Sequence, residues 1–125
     1  MDDAVRAALD RGGLIDITTT GAKTGRARRV EIVVHNFDRH LYISGMPIPS
    51  RKRGWLANVE ANPRLSVHVK GAIQADLPAI ARVITDADER RRVLERVARA
   101  WNRTDLNTML AHSPLMELTI EGYPS

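Results

Sequence analysis

Hydrophobic and polar residues alternate along much of this chain, with the two-residue period of half-buried β-strands. Within residues 29–35 the pattern places Val30, Ile32 and Val34 on one face and charged or polar side chains on the other. Similar patterns and β-branched runs recur, with turn residues between them. The predicted strands are residues 14–20, 29–35, 41–45, 64–70, 73–85 and 115–121.

Helical periodicity predicts four further segments, in which apolar residues recur every three or four positions. They are residues 2–11, 53–61, 86–101 and 105–111. Asp86 and Glu89 resemble a capping box at the start of the third helix, and Pro78 indicates that the fifth strand lies at an edge or is bulged. The connections are too short for repeated βαβ units. An antiparallel barrel with helices packed outside satisfies the pattern, because closure removes exposed strand edges.

The composition indicates one soluble globular domain, residues 1–125. Hydrophobic residues make up 43% of the chain and charged residues 27%, and no apolar run approaches the ~20 residues of a membrane span. The first residues are acidic and lack the apolar centre of a secretory signal, so we expect a cytoplasmic protein without a membrane anchor. The absence of cysteine excludes disulfides, thiol nucleophiles and thiolate metal sites.

The charge is positive and concentrated in two stretches. The net charge is +4 and the isoelectric point about 10.1, which favours an anionic partner such as nucleic acid, an acidic cofactor or a membrane surface. Seven of the 19 basic residues lie in two short segments, namely Lys23, Arg26, Arg28, Arg29, Arg51, Lys52 and Arg53.

Each basic segment has a binding interpretation and a simpler alternative. The first is framed by Gly21 and Gly25, as expected where the backbone needs positive φ or approaches a ligand closely. The second precedes a predicted helix whose free N–H groups could meet a phosphate. Both could instead be solvated loops. We hypothesise that the two segments converge on one anionic ligand.

Other chemistries have little support in the sequence. The four histidines have no metal-ligand spacing, and no catalytic triad can be assembled from sequence order. The segment from Gly21 to Gly25 lacks the spacing of a phosphate-binding P-loop. Only 4% of residues are aromatic, so stacking platforms for nucleic-acid bases are scarce. We therefore predict no metal, no catalytic side chain and no nucleic-acid partner.

Two motifs in this order resemble the deazaflavin-dependent nitroreductase and quinone reductase family. They are T-T-T-G-x-K-T-G-x-x-R, from residue 18, and W-x-x-N-x-x-A-N-P, from Trp55 to Pro63, with a hairpin ending in Ile-Ser-Gly between them. The resemblance covers residues 14–70 well. It implies a mainly β fold with α-helices, the split β-barrel shared with pyridoxamine-phosphate-oxidase-like proteins.

The resemblance also implies binding of coenzyme F420, a deazaflavin with a phosphate and an oligoglutamate tail. Reduced F420 would then deliver a hydride to a small electron-poor acceptor such as a quinone, enone or nitroaromatic. FMN binding, or a binding module without turnover, is the alternative, and the protein could be a monomer or a homodimer. The predicted cofactor-binding residues are Lys23, Arg28, Val30, Ser44, Gly45, Arg53, Gly54, Trp55 and Asn58.

This chain departs from the family pattern at two places. Glu31 stands where the family commonly has a proline beside the cofactor ring. The contacts that family members usually make with the ring therefore need not be present in this chain. Residues 46–49, Met-Pro-Ile-Pro, replace a Gly-Gly loop.

Overall fold

The computed structural model describes residues 1–49 and 52–124. Within them, helices and strands follow the predicted order, with bounds that differ from prediction by two residues or fewer at every end. The elements are α1 (Asp3–Arg11), β1 (Gly13–Thr20), β2 (Ala27–Phe37), β3 (His40–Ser44), α2 (Gly54–Ala61), β4 (Arg64–Val69), β5 (Ala75–Val83), α3 (Ala87–Ala100), α4 (Leu106–His112) and β6 (Leu115–Ile120).

The six strands form a closed antiparallel barrel in the order β1-β2-β3-β6-β5-β4. The predicted alternation is confirmed: Ile17 of β1 is paired with Val30 of β2, and their neighbours Asp16 and Glu31 are paired on the outer face. Ile17, Ile43 and Val67 are fully buried inside the barrel. Burial of such side chains stabilises the fold by about 1.5–3 kcal/mol each.

The prediction from Pro78 that β5 lies at an edge or is bulged is wrong for the strand as a whole, since β5 has neighbours on both sides and its register with β4 is continuous. The strand is paired with β4 from Ala75 to Ile80 and with β6 from Ala79 to Val83. Pro78 lies just before the β6 pairing begins, and its own pairing is with Ser66 of β4. Proline lacks a backbone N–H, and it is tolerated here because its part of β5 has a neighbour on one side.

The helices cover different parts of the barrel. α3 and α4 form a second core with Ile84 and Leu115, against which Phe37 and Tyr42 pack. Asp86 caps α3 by accepting a hydrogen bond from the Glu89 amide at 2.9 Å, which confirms the predicted start of this helix. α2 packs against β1 and β5 and places Val59 in the barrel core. None of the helices in the described ranges is long and apolar enough to cross a membrane.

Candidate cofactor site

A cavity of about 590 Å³ lies between the β1–β2 turn, the start of β2 and the first turns of α2. Seven of the nine predicted cofactor-binding residues line it. They are Lys23, Arg28, Val30, Arg53, Gly54, Trp55 and Asn58.

The turn between β1 and β2 is tight, and its two glycines are required for different reasons. Gly21 donates its amide to the Arg26 carbonyl at 2.8 Å and accepts from the Gly25 amide at 2.8 Å. A Cβ on Gly21 would lie 2.6 Å from the Thr24 hydroxyl, which leaves no room for a side chain. Gly25 has φ +68°, in the left-handed region that glycine adopts without strain. This turn presents Lys23 to the cavity.

Among the described residues, four cations line the cavity, and they differ in the contacts that their side chains make. Lys52 forms an ion pair with Glu60, and Arg53 donates to the Met46 carbonyl at 2.7 Å. The side chains of Lys23 and Arg28 have neither an ion pair nor a hydrogen bond within residues 1–49 and 52–124. The two basic segments thus meet at one cavity through these four residues. Arg26 and Arg29 do not line it, Arg51 lies outside the described residues, and the binding of one anionic ligand by both segments stays a prediction.

The N-terminus of α2 faces the same cavity. Gly54 and Trp55, the first two residues of the helix, line it, and Arg53 is the N-cap. No side chain in the described part of the chain caps this end. The unsatisfied amides and the positive end of the helix dipole therefore add to the cationic wall.

Asn58 lines the cavity, but its polar atoms are bonded within the protein. Its Oδ1 accepts from the Ala22 amide at 2.8 Å, and its Nδ2 donates to the Thr19 hydroxyl at 2.9 Å. The side chain thereby joins α2 to the end of β1 and to the β1–β2 turn.

Ser44 and Gly45 do not line this cavity. The Ser44 hydroxyl is buried and donates to the Pro114 carbonyl at 2.7 Å, which ties the end of β3 to the segment before β6. Gly45 lies against the Arg53 side chain, because a Cβ there would lie 3.1 Å from Nη2. The structure thus gives both residues contacts that support Arg53 and β6.

Glu31, the departure from the family pattern, lies on the opposite face of β2 from the cavity. Its carboxylate forms an ion pair with Lys70, which also donates to Asp16 at 2.8 Å. The hydrogen bond from Lys70, followed by that from Arg29, lowers the pKa of Asp16. Val30 lines the cavity wall instead, and none of the described residues that line the cavity carries a carboxylate.

Several lining residues were not predicted. Lys52 could have been predicted to line the site, because it belongs to the basic run at residues 51–53. The residues of the β1–β2 turn could also have been predicted, because the two glycines that frame this turn are visible in the sequence. Thr19 carried no signal of its own, because its role depends on a contact with Asn58, 39 residues away. The unpredicted lining residues are Thr19, Gly21, Ala22, Thr24, Lys52 and Ala57.

The closed six-stranded barrel with helices outside it is a split-barrel architecture, and the described residues place four cations around one of its cavities. A family model described as F420H(2)-dependent quinone reductase matches residues 4–115. The chain therefore belongs to this family, and it is an F420-dependent reductase. No curated protein matches the sequence.

Solved structures share the fold. A structure described as an F420-H2 dependent reductase is 23% identical, with a TM-score of 0.64 over 86% of this chain and 94% of that one. A second, described as an F420 reductase, is 12% identical, with a TM-score of 0.72 over 98% and 97%. A putative pyridoxamine 5'-phosphate oxidase from Listeria innocua is 14% identical, with a TM-score of 0.66 over 95% and 92%. At these identities the likeness establishes the split-barrel fold.

Proposed function

We propose that the cavity binds the anionic portion of F420 and that the protein reduces an electron-poor small molecule, such as a quinone, an enone or a nitroaromatic. The observation that carries this proposal is the pair of cations Lys23 and Arg28, whose side chains have no partner in the described part of the chain, beside an α2 N-terminus that no described side chain caps. Family membership supplies the identity of the cofactor.

The charges of the cavity suit the proposed ligand. A phosphate and an oligoglutamate tail carry several negative charges, and four cations line this cavity. The Arg28 guanidinium offers two parallel N–H groups to a carboxylate or phosphate. The first amides of α2 offer further donors to a phosphate. Because Lys23 and Arg28 have no partner in the described structure, no existing ion pair needs to break when the ligand binds.

The apolar part of the wall suits the deazaflavin ring. Val30 lies on the barrel side of the cavity and Trp55 on the helix side, so a flat ring could pack between an aliphatic and an aromatic surface. F420, when bound, supplies the hydride chemistry. The protein holds and orients it and limits access of water. We propose that no side chain acts as an essential acid or base, and that solvent supplies the proton.

All of the proposed contacts come from one chain. The site is therefore compatible with either a monomer or a homodimer, and we propose a small-molecule acceptor as its second ligand.

The test is a fluorescence titration of the purified protein with F420 and, separately, with FMN at low and moderate salt. We expect tight F420 binding that salt weakens, since exposed charges are screened within about 10 Å at 0.1 M. Binding of FMN alone would keep the fold but move the chemistry to a flavin. Binding of neither would overturn the proposed site.

Turnover is tested separately by anaerobic mixing of reduced F420 with menadione. We expect oxidation of F420 well above the rate without protein. A protein that binds F420 but gives no such increase would be a carrier of the cofactor.

A further inference from the structure

We propose that Asn58 is a positioning residue that holds the β1–β2 turn against the middle of α2, so that Lys23 and Arg28 face the ligand together with the helix amides. The inference rests on the proposed function, because it states how the cation arrangement of that site is maintained.

The geometry of Asn58 leaves both ends of its amide engaged inside the protein. Its Oδ1 accepts from the Ala22 amide and its Nδ2 donates to Thr19 Oγ1, at 2.8 and 2.9 Å. Asn58 is 8% exposed and Thr19 2% exposed. Buried groups of this kind are costly to leave unpaired, so the two bonds fix the relative position of the helix and the turn.

Through the backbone, these two hydrogen bonds constrain the position of Lys23 and Arg28, the two cations whose side chains have no partner among the described residues. Ala22 immediately precedes Lys23, so the bond to its amide fixes the chain where Lys23 leaves the turn. Thr19 is the cross-strand partner of Arg28 in the β1–β2 ladder. One side chain therefore connects α2 to the segments that carry Lys23 and Arg28.

Asparagine suits this position because it provides an acceptor and a donor without charge. Alanine would remove both bonds. Aspartate could still accept from the Ala22 amide, and the Thr19 hydroxyl could turn to donate to it. It would, however, place a negative charge on the wall of a cavity that we propose to bind an anion.

The experiment compares Asn58→Ala, Thr19→Val and Thr19→Ser with the wild-type protein. Two quantities are measured: the Kd for F420 by fluorescence titration, and the hydrogen-exchange protection of the Ala22 amide. We expect Asn58→Ala to raise the Kd at least about tenfold, in the range typical of coupling between contacting residues, and to remove the protection of Ala22. Thr19→Val should give a smaller change in the same direction, and Thr19→Ser should behave as wild type because it keeps the hydroxyl.

The matched control is Asn36→Ala. Asn36 donates from Nδ2 to the Leu9 carbonyl and to Tyr123 Oη, at 2.9 and 2.7 Å, and it does not line the cavity. This variant should lose stability while its Kd for F420 stays within about twofold of wild type, as expected for a distant independent site.

A double-mutant cycle with Lys23→Gln separates positioning from general destabilisation. If Asn58 acts through the placement of Lys23, adding Asn58→Ala to the Lys23→Gln variant should raise the Kd by less than about threefold, because interacting residues are not additive. Fully additive effects, or an Asn58→Ala variant that binds F420 as wild type does, would overturn the inference. If Asn58→Ala does not fold, Thr19→Val replaces it in the cycle. Failure of the wild-type protein to bind F420 would overturn the proposed function, and this inference with it.

Discussion

The two faces of β2 differ in whether their charged side chains have partners. On the inner face, Arg28 lines the cavity and has no partner in the part of the chain that the structure describes. On the outer face, Arg29 donates to Asp16 at 3.0 Å and Glu31 pairs with Lys70. Adjacent residues of one strand thus differ in role: the outer charges are satisfied by one another, and the inner charge is available to a ligand. The presence or absence of a partner, rather than charge density, distinguishes the two faces.

The strongest test of this difference is charge reversal of the two unpartnered cations. The double variant Lys23→Glu/Arg28→Glu should weaken F420 binding by at least about a hundredfold, because hydrogen bonds to charged groups contribute roughly 1.5–3 kcal/mol each. Fluorescence titration gives the Kd.

The control for that variant changes the same amount of charge elsewhere. Arg91→Glu/Arg92→Glu reverses two exposed cations of α3 that lie outside the cavity, and its Kd should rise by no more than the small long-range effect that salt removes. Equal losses in both double variants would show that net charge, and not the cavity, attracts the cofactor.

A smaller effect is expected when a carboxylate is added to one face or the other. Val30→Glu places a negative charge on the cavity wall and should raise the Kd for F420 about tenfold, since unit charges ~4 Å apart repel by on the order of 1 kcal/mol in water and more in a cavity. Val33→Glu adds the same charge to the outer face. It should lower the urea midpoint of unfolding and leave the Kd nearly unchanged, and a reversed outcome would contradict the assignment of the two faces.

Much of this difference between the faces could be predicted from the sequence, because a strand has a strict two-residue period. Alternation around Val30 already placed Glu31 on the opposite face, and the two basic segments already indicated an anion site. The sequence could not show which cations would remain unpaired, since the Lys52–Glu60 and Arg53–Met46 contacts depend on how α2 packs. The two hydrogen bonds of Asn58 could not be predicted either, because its partners Ala22 and Thr19 lie 36 and 39 positions away along the chain.

The outer face of β2 also holds one titratable group whose ring lies in an apolar environment. His35 is 7% exposed, its ring lies against Phe37 and Trp101, and its Nε2 has no hydrogen-bond partner among the residues that the structure describes. Burial lowers the pKa of His35, so below the unfolded value of about 6.5 the unfolded chain binds a proton that the folded protein does not. Stability contributed by neutral His35 should therefore decrease as pH falls from about 6.5 toward the lowered folded pKa.

The measurement is urea unfolding of wild type and His35→Phe at pH 7.5 and pH 5. The variant should lose less stability between the two pH values, by up to about 1.4 kcal/mol for each unit by which the folded pKa is lowered. The two proteins differ only at residue 35, so the difference between their losses isolates this residue. Identical losses of stability in the two proteins would show that His35 is protonated as easily in the folded protein as in the unfolded chain.

The smallest effect is expected at Glu31, where the chain departs from its family. Glu31→Gln removes the ion pair with Lys70, but the Glu31 side chain is 58% exposed and Lys70 keeps its bond to Asp16. Exposed ion pairs contribute about 0–1 kcal/mol, so the free energy of unfolding should fall by less than 1 kcal/mol, with a smaller difference at high salt. The Kd for F420 should stay within about twofold of wild type, because Val30 and not Glu31 lines the cavity. A tenfold change in Kd would instead show that residue 31 reaches the cofactor from the outer face of the barrel.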